Sequence, residues 1–424
     1  MNAESLAKAY ILTHGVHFTP EALQHAITAN AKRQNAVYNL PALALESSGS
    51  GSSSDRSINL IAPKFSRPQE LFLTGGDGYT VCVSAVAPVP ERQCAIVDFT
   101  SNQLTLETPG MPKIGVCVNE VRYVPQPSYY DKVTSSGRPV TRIVSACGYD
   151  EMNIWPWHDC AISKTCSFCG INAVHKQAGK NNDLLRAVTL RQAQNPSDYW
   201  NSQKESILSE LSEAIDLAID DDCYKEEIHL ILITGNLADD QLDLQALIYS
   251  DIARAINAKH SGKFAEGLVA VTAPPSDSNK LFEMRDAGVS IGVFNLEAYT
   301  PTAFALHCPG KHRLGRDLYL NALNKGVEVF GWGKSWSNFV LGLEPASDLL
   351  QGAENLAAHG ITPGANVLHC DHGAPIKVTP PTYETVISFY RELAILYNKY
   401  NHKPYYCQKA LRTSLANEAY SGRF

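Results

Sequence analysis

Cys160, Cys166 and Cys169 lie in one short run, His158 to Gly170, with the spacing C-x5-C-x2-C. Soft thiolates this close together suit an iron–sulfur cluster or a zinc ion. A four-iron cube held by three protein thiolates leaves its fourth iron open, and an open iron is where chemistry on another molecule could take place. Zinc would need a fourth ligand, for which His158, His175 or Cys147 could serve, but the chain has no second Cys-x2-Cys to complete a paired knuckle. Chance clustering is the third reading. The other eight cysteines, Cys82, Cys94, Cys117, Cys147, Cys223, Cys308, Cys370 and Cys407, are scattered singly, as expected of small buried apolar side chains. A total of 11 in a chain of 424 does not make a disulfide scaffold.

The elements that must position these thiols read as alternating strand and helix from about Val140 onward. Thr141–Ala146 reads as a strand leading into the cysteine loop. Ser197–Asp220 has helical spacing of Ile207, Leu208, Leu211, Ile215 and Ala218. After it come an apolar strand at Glu227–Ile233, a helix at Leu242–His260, a strand at Gly267–Ala273, a helix at Leu281–Ala287 and a strand at Val289–Leu296. The pattern continues with a helix at Arg316–Lys325 closed by Gly326, a strand at Val327–Gly331, a helix at Ala346–His359 closed by Gly360, and a strand at Gly364–His369. Continuously apolar strands are those of a parallel sheet buried on both faces. Six such βα units make the expected fold class α/β, a partial or full parallel (β/α) barrel, with the site at the C-terminal ends of its strands.

The first part of the chain differs. Ala3–Thr13 and Pro20–Asn39 read as helices, the second with Thr19 as N-cap and Pro20 in its first turn. A Gly/Ser stretch at 47–54 reads as a flexible loop. Short β-like runs follow at Gly78–Ala87, Gln93–Phe99, Leu104–Leu106 and Val116–Tyr123. The expected division is an N-terminal α+β region 1–135, a barrel core 136–380 and a C-terminal helical extension 381–424.

A hydrophobic fraction of 44% and a charged fraction of 19% are those of an ordinary globular protein. The net charge of −7 argues against nucleic acid as a partner, since that binding needs a basic surface. No apolar run approaches the ~20 residues that span a bilayer, and MNAESLAKAY lacks the layout of a secretory signal, so no membrane partner and a cytoplasmic address are expected.

Several further motifs follow the cysteines in order. Phe168 precedes the last cysteine; Thr234-Gly235-Asn236 ends one strand and Asn295-Leu296-Glu297 another; Phe339 to Glu344 contains Gly342; Val367 to Pro375 forms a late polar loop. Singly, each has a plain reading: Thr-Gly-Asn as a turn, or Glu297 as a carboxylate in a helix's first turn. Together, on a βα repeat, Thr141–Pro380 resembles the radical S-adenosylmethionine (SAM) superfamily, most closely its biotin-synthase-like branch. Its cluster loop is two residues longer than the family's usual C-x3-C-x2-C.

The resemblance implies a (β/α)6 core in which Cys160, Cys166 and Cys169 hold a 4Fe-4S cluster whose open iron binds SAM. Phe168 would sit beside the cluster, and Thr234, Gly235 and Asn236 would hold the SAM methionine amino group. Asn295 and Glu297 would contact its ribose or carboxylate, with Gly342 and Glu344 beside the adenine. It implies reductive cleavage of SAM to a 5′-deoxyadenosyl radical that abstracts hydrogen from a small-molecule substrate in cofactor or natural-product biosynthesis, with electrons from a donor such as flavodoxin or ferredoxin. Alternatives are a sulfur-inserting or methylthiolating enzyme with a second cluster, and a non-catalytic metal-binding barrel. Around the expected mouth, Trp155, Trp157, Trp332 and Trp336 could form an aromatic wall, or be packing anchors. Lys311, His312, Arg313 and Arg316 could meet an anion, or form a solvated loop. Cys370, between His369 and Asp371, is a candidate catalytic thiol for hydrogen-atom donation or for a second cluster, which Cys308 and Cys407 could join.

Overall fold

The computed structural model describes residues 2–32, 67–148, 150–162, 165–172, 183–224, 227–369, 379–404 and 411–424. The chain opens with α1 (Ala3–His14), β1 (Val16–Phe18) and α2 (Pro20–Thr28). Thr19 caps α2 through a bond from the Ala22 amide, 3.2 Å, with Pro20 in the first turn as expected. The helix stops well short of Asn39. Asn30 takes a positive φ, and Ala31 pairs with Pro125 in a β-bridge that turns the chain away. The Gly/Ser stretch at 47–54 lies outside the described residues.

Next come β2 (Glu70–Thr74), β3 (Thr80–Ser84), β4 (Ala95–Thr100), β5 (Gln103–Glu107), α3 (Pro112–Val116) and β6 (Glu120–Tyr123). They form two small sheets, ordered β1-β4-β5 and β3-β2-β6. The expected strand Val116–Tyr123 keeps only its second half, because Pro112–Val116 makes a helical turn.

The main sheet contains β7 (Val144–Cys147), β8 (Glu151–Ile154), β9 (Ile228–Ile233), β10 (Phe264–Val271), β11 (Val289–Val293), β12 (Ser335–Leu341) and β13 (Ile361–Val367), in the order β13-β12-β11-β10-β9-β8-β7. Strands β8 to β13 are parallel, and β7 is an antiparallel edge hairpinned onto β8. This is a partial parallel (β/α) barrel with six parallel strands. The strand that leads into the cysteine loop is therefore Glu151–Ile154. The run Thr141–Ala146, expected in that role, supplies the edge strand instead.

The helices are α4 (Ala187–Gln192), α5 (Pro196–Ile219), α6 (Leu242–His260), α7 (Lys280–Asp286), α8 (Pro301–His307), α9 (Pro309–Leu314), α10 (Arg316–Phe330), α11 (Ala346–Ala358), α12 (Tyr383–Tyr400) and α13 (Ala416–Tyr420). One expectation is reversed here. Helix α10 runs through Gly326 and closes at Gly331, φ +101°, so Val327–Gly331 is helix rather than strand. Gly326 is needed for close approach, since a Cβ there would lie 2.5 Å from Ser335 Oγ on β12. Val329 and Phe330, whose apolar character suggests a strand, are the buried face of the helix.

Helix-facing residues of the sheet such as Leu230, Leu232, Leu268 and Ala270 belong to a large core that runs from Leu6 to Ala419. The opposite face carries Ile231, Val269, Ile291, Val293 and Trp336, packed with Cys147 and Leu411 in a separate cluster inside the barrel.

The seam between β7 and β13 is bridged by other parts of the chain. The fully buried Glu70 carboxylate accepts from Lys32 (3.2 Å), from Arg412 (2.8 Å) and from the Gly148 amide (3.3 Å). Lys32 also donates to Ala146 O on β7. Next to Arg412, Thr413 accepts from the Val367 amide (2.8 Å) and its hydroxyl donates to Asn366 Oδ1 (2.9 Å), both on β13. One carboxylate thus ties both barrel edges together. Burial alone would raise its pKa, but Lys32 and Arg412 outweigh burial and hold it below the usual carboxylate value.

Candidate functional site

The cysteine loop begins where β8 ends, and its approach is fixed residue by residue. His158 is buried with Nδ1 3.0 Å from Asp183 Oδ1, an oxygen that also accepts from Arg142 at 2.6 Å. Trp155 stacks on the His158 ring and donates to Ser145 Oγ (2.9 Å). The Asp159 carboxylate accepts from the Ala187 and Val188 amides (2.9 and 3.0 Å), capping the first turn of α4. Cys160 is then held by Asn172, whose Oδ1 accepts from the Cys160 amide (2.8 Å) and whose Nδ2 donates to the Cys160 carbonyl (3.0 Å).

Thr234-Gly235-Asn236, at the end of β9, packs directly on this approach. A Cβ on Gly235 would lie 2.2 Å from Asp159 O and 2.8 Å from Cys160 Cα, so only glycine fits. The Asn236 carbonyl accepts from the Ala161 amide (2.7 Å), and the Gly235 carbonyl accepts from Trp157 Nε1 (2.6 Å). Asn236 Oδ1 accepts from the Ala273 amide (2.8 Å), linking the ends of β9 and β10. The Gly235 and Asn236 carbonyls of this motif thus each accept a bond from the cysteine loop's approach.

The far side of the loop docks on α8, β12 and β13. The Ser167 amide donates to His307 O (2.7 Å), and Ser167 Oγ lies 3.0 Å from His307 Nδ1. Phe168 packs on Val340, Leu343 and Leu368, at the C-terminal ends of β12 and β13. Cys308 is fully buried, with its Sγ 3.9 Å from the Leu296 carbonyl oxygen. The influence of Cys308, followed by Lys311, holds the Cys166 thiol below its usual pKa against burial, while Cys166 and burial push Cys308 far up. Burial raises Cys160.

Lys311 donates to Glu297 (2.8 Å) and to Asn295 O (2.7 Å). Burial opposes its charge, but Glu297 outweighs that and keeps the ammonium well above its ordinary value. Glu297 stands at φ +68° and bridges to Phe339, while Asn295 Oδ1 accepts from the Asn338 amide (3.0 Å). Glu297 does not take the first-turn place its plain reading gives it: Thr300 caps α8, accepting from the Ala303 amide (3.3 Å), and Glu344 braces that cap. Its carboxylate accepts from the Tyr299 amide, the Thr300 amide (3.1 Å) and the Thr300 hydroxyl (2.5 Å), at the N-terminus of α8. Gly342, at φ +120°, makes the turn between β12 and Glu344.

The structure thus brings Cys160, Cys166, Cys169, Phe168, Thr234, Gly235, Asn236, Asn295, Glu297, Gly342 and Glu344 to the C-terminal end of the sheet. Cys370, Asp371 and Cys407 lie outside the described residues. The expected aromatic wall does not form. Trp332 is 52% exposed at the opposite, N-terminal end of β12, stacked on His402, and Trp336 is buried inside the barrel. The expected anion-binding residues are committed elsewhere: Lys311 to Glu297, Arg313 to Asp239, and Arg316 to the Tyr299 carbonyl and ring. The docking of Ser167 on His307, the last residue of α8, is a contact with no local sequence signal.

Among the described residues, no three His, Cys, Asp or Glu side chains converge as they would around a metal ion. The fit to a cluster is therefore one of donor type and placement. Three partly exposed thiols share one loop at a strand end, beside a buried cation able to offset thiolate charge.

No family model matches the chain. Among curated proteins it is similar to the bacteriochlorophyllide c C-7(1)-hydroxylase of Chlorobaculum limnaeum, 26% identical over 280 residues. That match covers 63% of this chain and 65% of the relative, so the chain spans just under two thirds of the relative's length. Solved structures similar to it include the FeFe-hydrogenase maturase HydG from Carboxydothermus hydrogenoformans (12% identity, TM-score 0.35, 57% of this chain and 49% of that one). Coproporphyrinogen III oxidase (HemN) from Escherichia coli, a radical SAM enzyme, gives 11%, 0.35, 62% and 55% on the same measures. Methylornithine synthase (PylB) gives 12%, 0.36, 63% and 71%. At these scores the likeness carries no conclusion about chemistry. No helix among the described residues is long and apolar enough to cross a membrane.

Proposed function

We propose that the chain is a radical SAM enzyme in which Cys160, Cys166 and Cys169 hold a 4Fe-4S cluster. The observation that carries this reading is the cysteine loop itself, pinned at the C-terminal end of the first parallel strand by Asp159, Gly235, Asn236 and His307. Bound together, cluster and SAM would supply a 5′-deoxyadenosyl radical for hydrogen abstraction from a small molecule.

The chain's own residues would do the positioning. Asp159, His158 and Asn172 fix the loop's entry, while Ser167 and Phe168 fix its exit. Lys311 offsets negative charge at Cys166, and the apolar interior around Ile231, Val269 and Val293 excludes water from a reactive species. Residues 1–135 and 381–424 would seal the seam through Glu70 and Arg412. The Chlorobaculum limnaeum relative is a hydroxylase acting on a bacteriochlorophyllide, so the substrate proposed for first trial is of that kind. The proposal includes a flavodoxin- or ferredoxin-type electron donor and a cytoplasmic address.

Anaerobic reconstitution with iron and sulfide, followed by dithionite and SAM, tests the reading. About four irons per chain and 5′-deoxyadenosine formation are expected, both lost in Cys160→Ala, Cys166→Ala and Cys169→Ala; about eight irons would favour the sulfur-inserting alternative. Iron uptake with no SAM cleavage would leave a non-catalytic metal-binding barrel, and retention of the iron without the three cysteines would refute the assignment.

A further inference from the structure

Two carboxamides behind the cysteine loop have their orientation dictated by main-chain amides. Gln245, near the start of α6, is fully buried between Leu244, Ala246 and Ile248 along the helix. Its Oε1 accepts from the Leu237 amide at 2.8 Å. A backbone N–H can only donate, so this bond fixes which corner of the carboxamide is oxygen and which is nitrogen. The Nε2 corner donates to Thr272 Oγ1 at 2.8 Å and to Asn236 Oδ1 at 3.3 Å. Asn236 Oδ1 also accepts from the Ala273 amide at 2.8 Å, a second main-chain donor that forbids a flip. Asn236 is partly exposed, and its Nδ2 has no partner among the described residues. The Asn236 carbonyl accepts from the Ala161 amide at 2.7 Å, one residue past Cys160, so this open donor stands at the edge of the cysteine loop.

We propose that Gln245 is a positioning residue that locks Asn236 with Nδ2 toward the site, so that this corner binds the carboxylate of the SAM methionine and not its ammonium. An amide NH2 donates and cannot accept, so it matches an anionic oxygen. The Oδ1 that could have met an ammonium has both lone pairs taken, by Gln245 Nε2 and the Ala273 amide. Turned the other way, Asn236 would set Nδ2 against the Ala273 N–H, two donors face to face, and a third donor on Gln245 would oppose it from the α6 side. Gln245 itself does not touch the ligand. It is a polar side chain on the buried face of a helix, and every bond it makes goes to the ends of β9 and β10 that border the site. Naming the ligand as SAM rests on the radical SAM reading; the orientation of the two amides does not.

The full-length chain, reconstituted anaerobically and left unreduced so that no turnover occurs, is titrated calorimetrically with SAM and with decarboxylated SAM. The second probe keeps the adenosine, the sulfonium and the amine and lacks only the carboxylate. The unaltered chain should bind SAM at least about tenfold more tightly, as expected of a charge-assisted hydrogen bond. Asn236→Asp keeps an oxygen for Ala273 and Gln245 but puts a second oxygen where the donor stood. Its Kd for SAM should rise at least about tenfold, while that for decarboxylated SAM shifts by less than about threefold. Gln245→Glu sets a carboxylate against Asn236 Oδ1, favours the turned amide, and should show the same selective loss although it lies outside ligand contact. A merely structural role for either residue would weaken both probes alike, and that result would overturn the proposal. Equal affinity of the unaltered chain for the two probes would overturn it without reference to any variant's folding, and would leave the radical SAM reading standing. A reconstituted chain that binds neither probe would refute that reading and the proposal with it.

Discussion

Glu70→Gln should cost this protein about 3 kcal/mol, at the lower end of the 3–5 kcal/mol seen when one partner of a buried ion pair is removed. The size follows from the two cations left behind. Lys32 is 1% exposed and its only carboxylate among the described residues is Glu70, whereas Arg412 keeps 23% exposure and can turn toward water. The stranded ammonium therefore dominates, and glutamine retains an oxygen for the Gly148 amide. Because domains are stable by only about 5–15 kcal/mol, such a loss should move the urea midpoint clearly while leaving the slope unchanged. Lys32→Met combined with Glu70→Gln removes the stranded charge and should recover at least half of the loss. A cost below about 1 kcal/mol for Glu70→Gln, as for an exposed pair, would refute the claim that this carboxylate locks the barrel seam.

The same carboxylate sets a pH dependence. Its folded pKa lies below the ordinary 4.5, so its contribution is whole above that pH and is lost as pH falls through the folded value; the stability gap between the unaltered chain and Glu70→Gln should narrow in that acid window. Gly235→Ala forces a Cβ to within 2.2 Å of Asp159 O, so iron uptake should fall sharply with about 1–3 kcal/mol of destabilisation, whereas Gly76→Ala, with nothing within 4 Å, should change neither. Glu344→Ala releases Thr300, the N-cap of α8, and should lower stability by about 1–2 kcal/mol in a thermal melt, and should also weaken cluster loading, because the other end of α8 holds Ser167. Unchanged loading would show that the loop does not depend on that helix.

The order and spacing of the chain already contain the thiol triad, the repeated βα pattern and four of the six parallel strands, because these rest on local periodicity and on donor type. Helices such as Leu242–His260 and the caps at Thr19 and Gly360 are legible for the same reason. Gly326 misleads because a glycine needed for close packing and a glycine needed at a helix end look alike until the neighbouring strand is in place. The tryptophans mislead because sequence proximity to a strand does not say which end of it a side chain occupies. Trp332 precedes β12 and so lies at the end away from the cysteines. Glu344 rather than Glu297 stands at the start of α8, because the Tyr299 and Thr300 amides that precede the helix are reached in space from the end of β12.

Which donors the chain offers is written in the order of its residues, since thiols at that spacing put three soft ligands on one loop. The tertiary structure alone decided what surrounds them. His307 on Ser167, Asn236 on Ala161, and Glu70 across the seam all join residues distant along the chain. Such contacts are set by how helices and strands pack, and no local pattern encodes them.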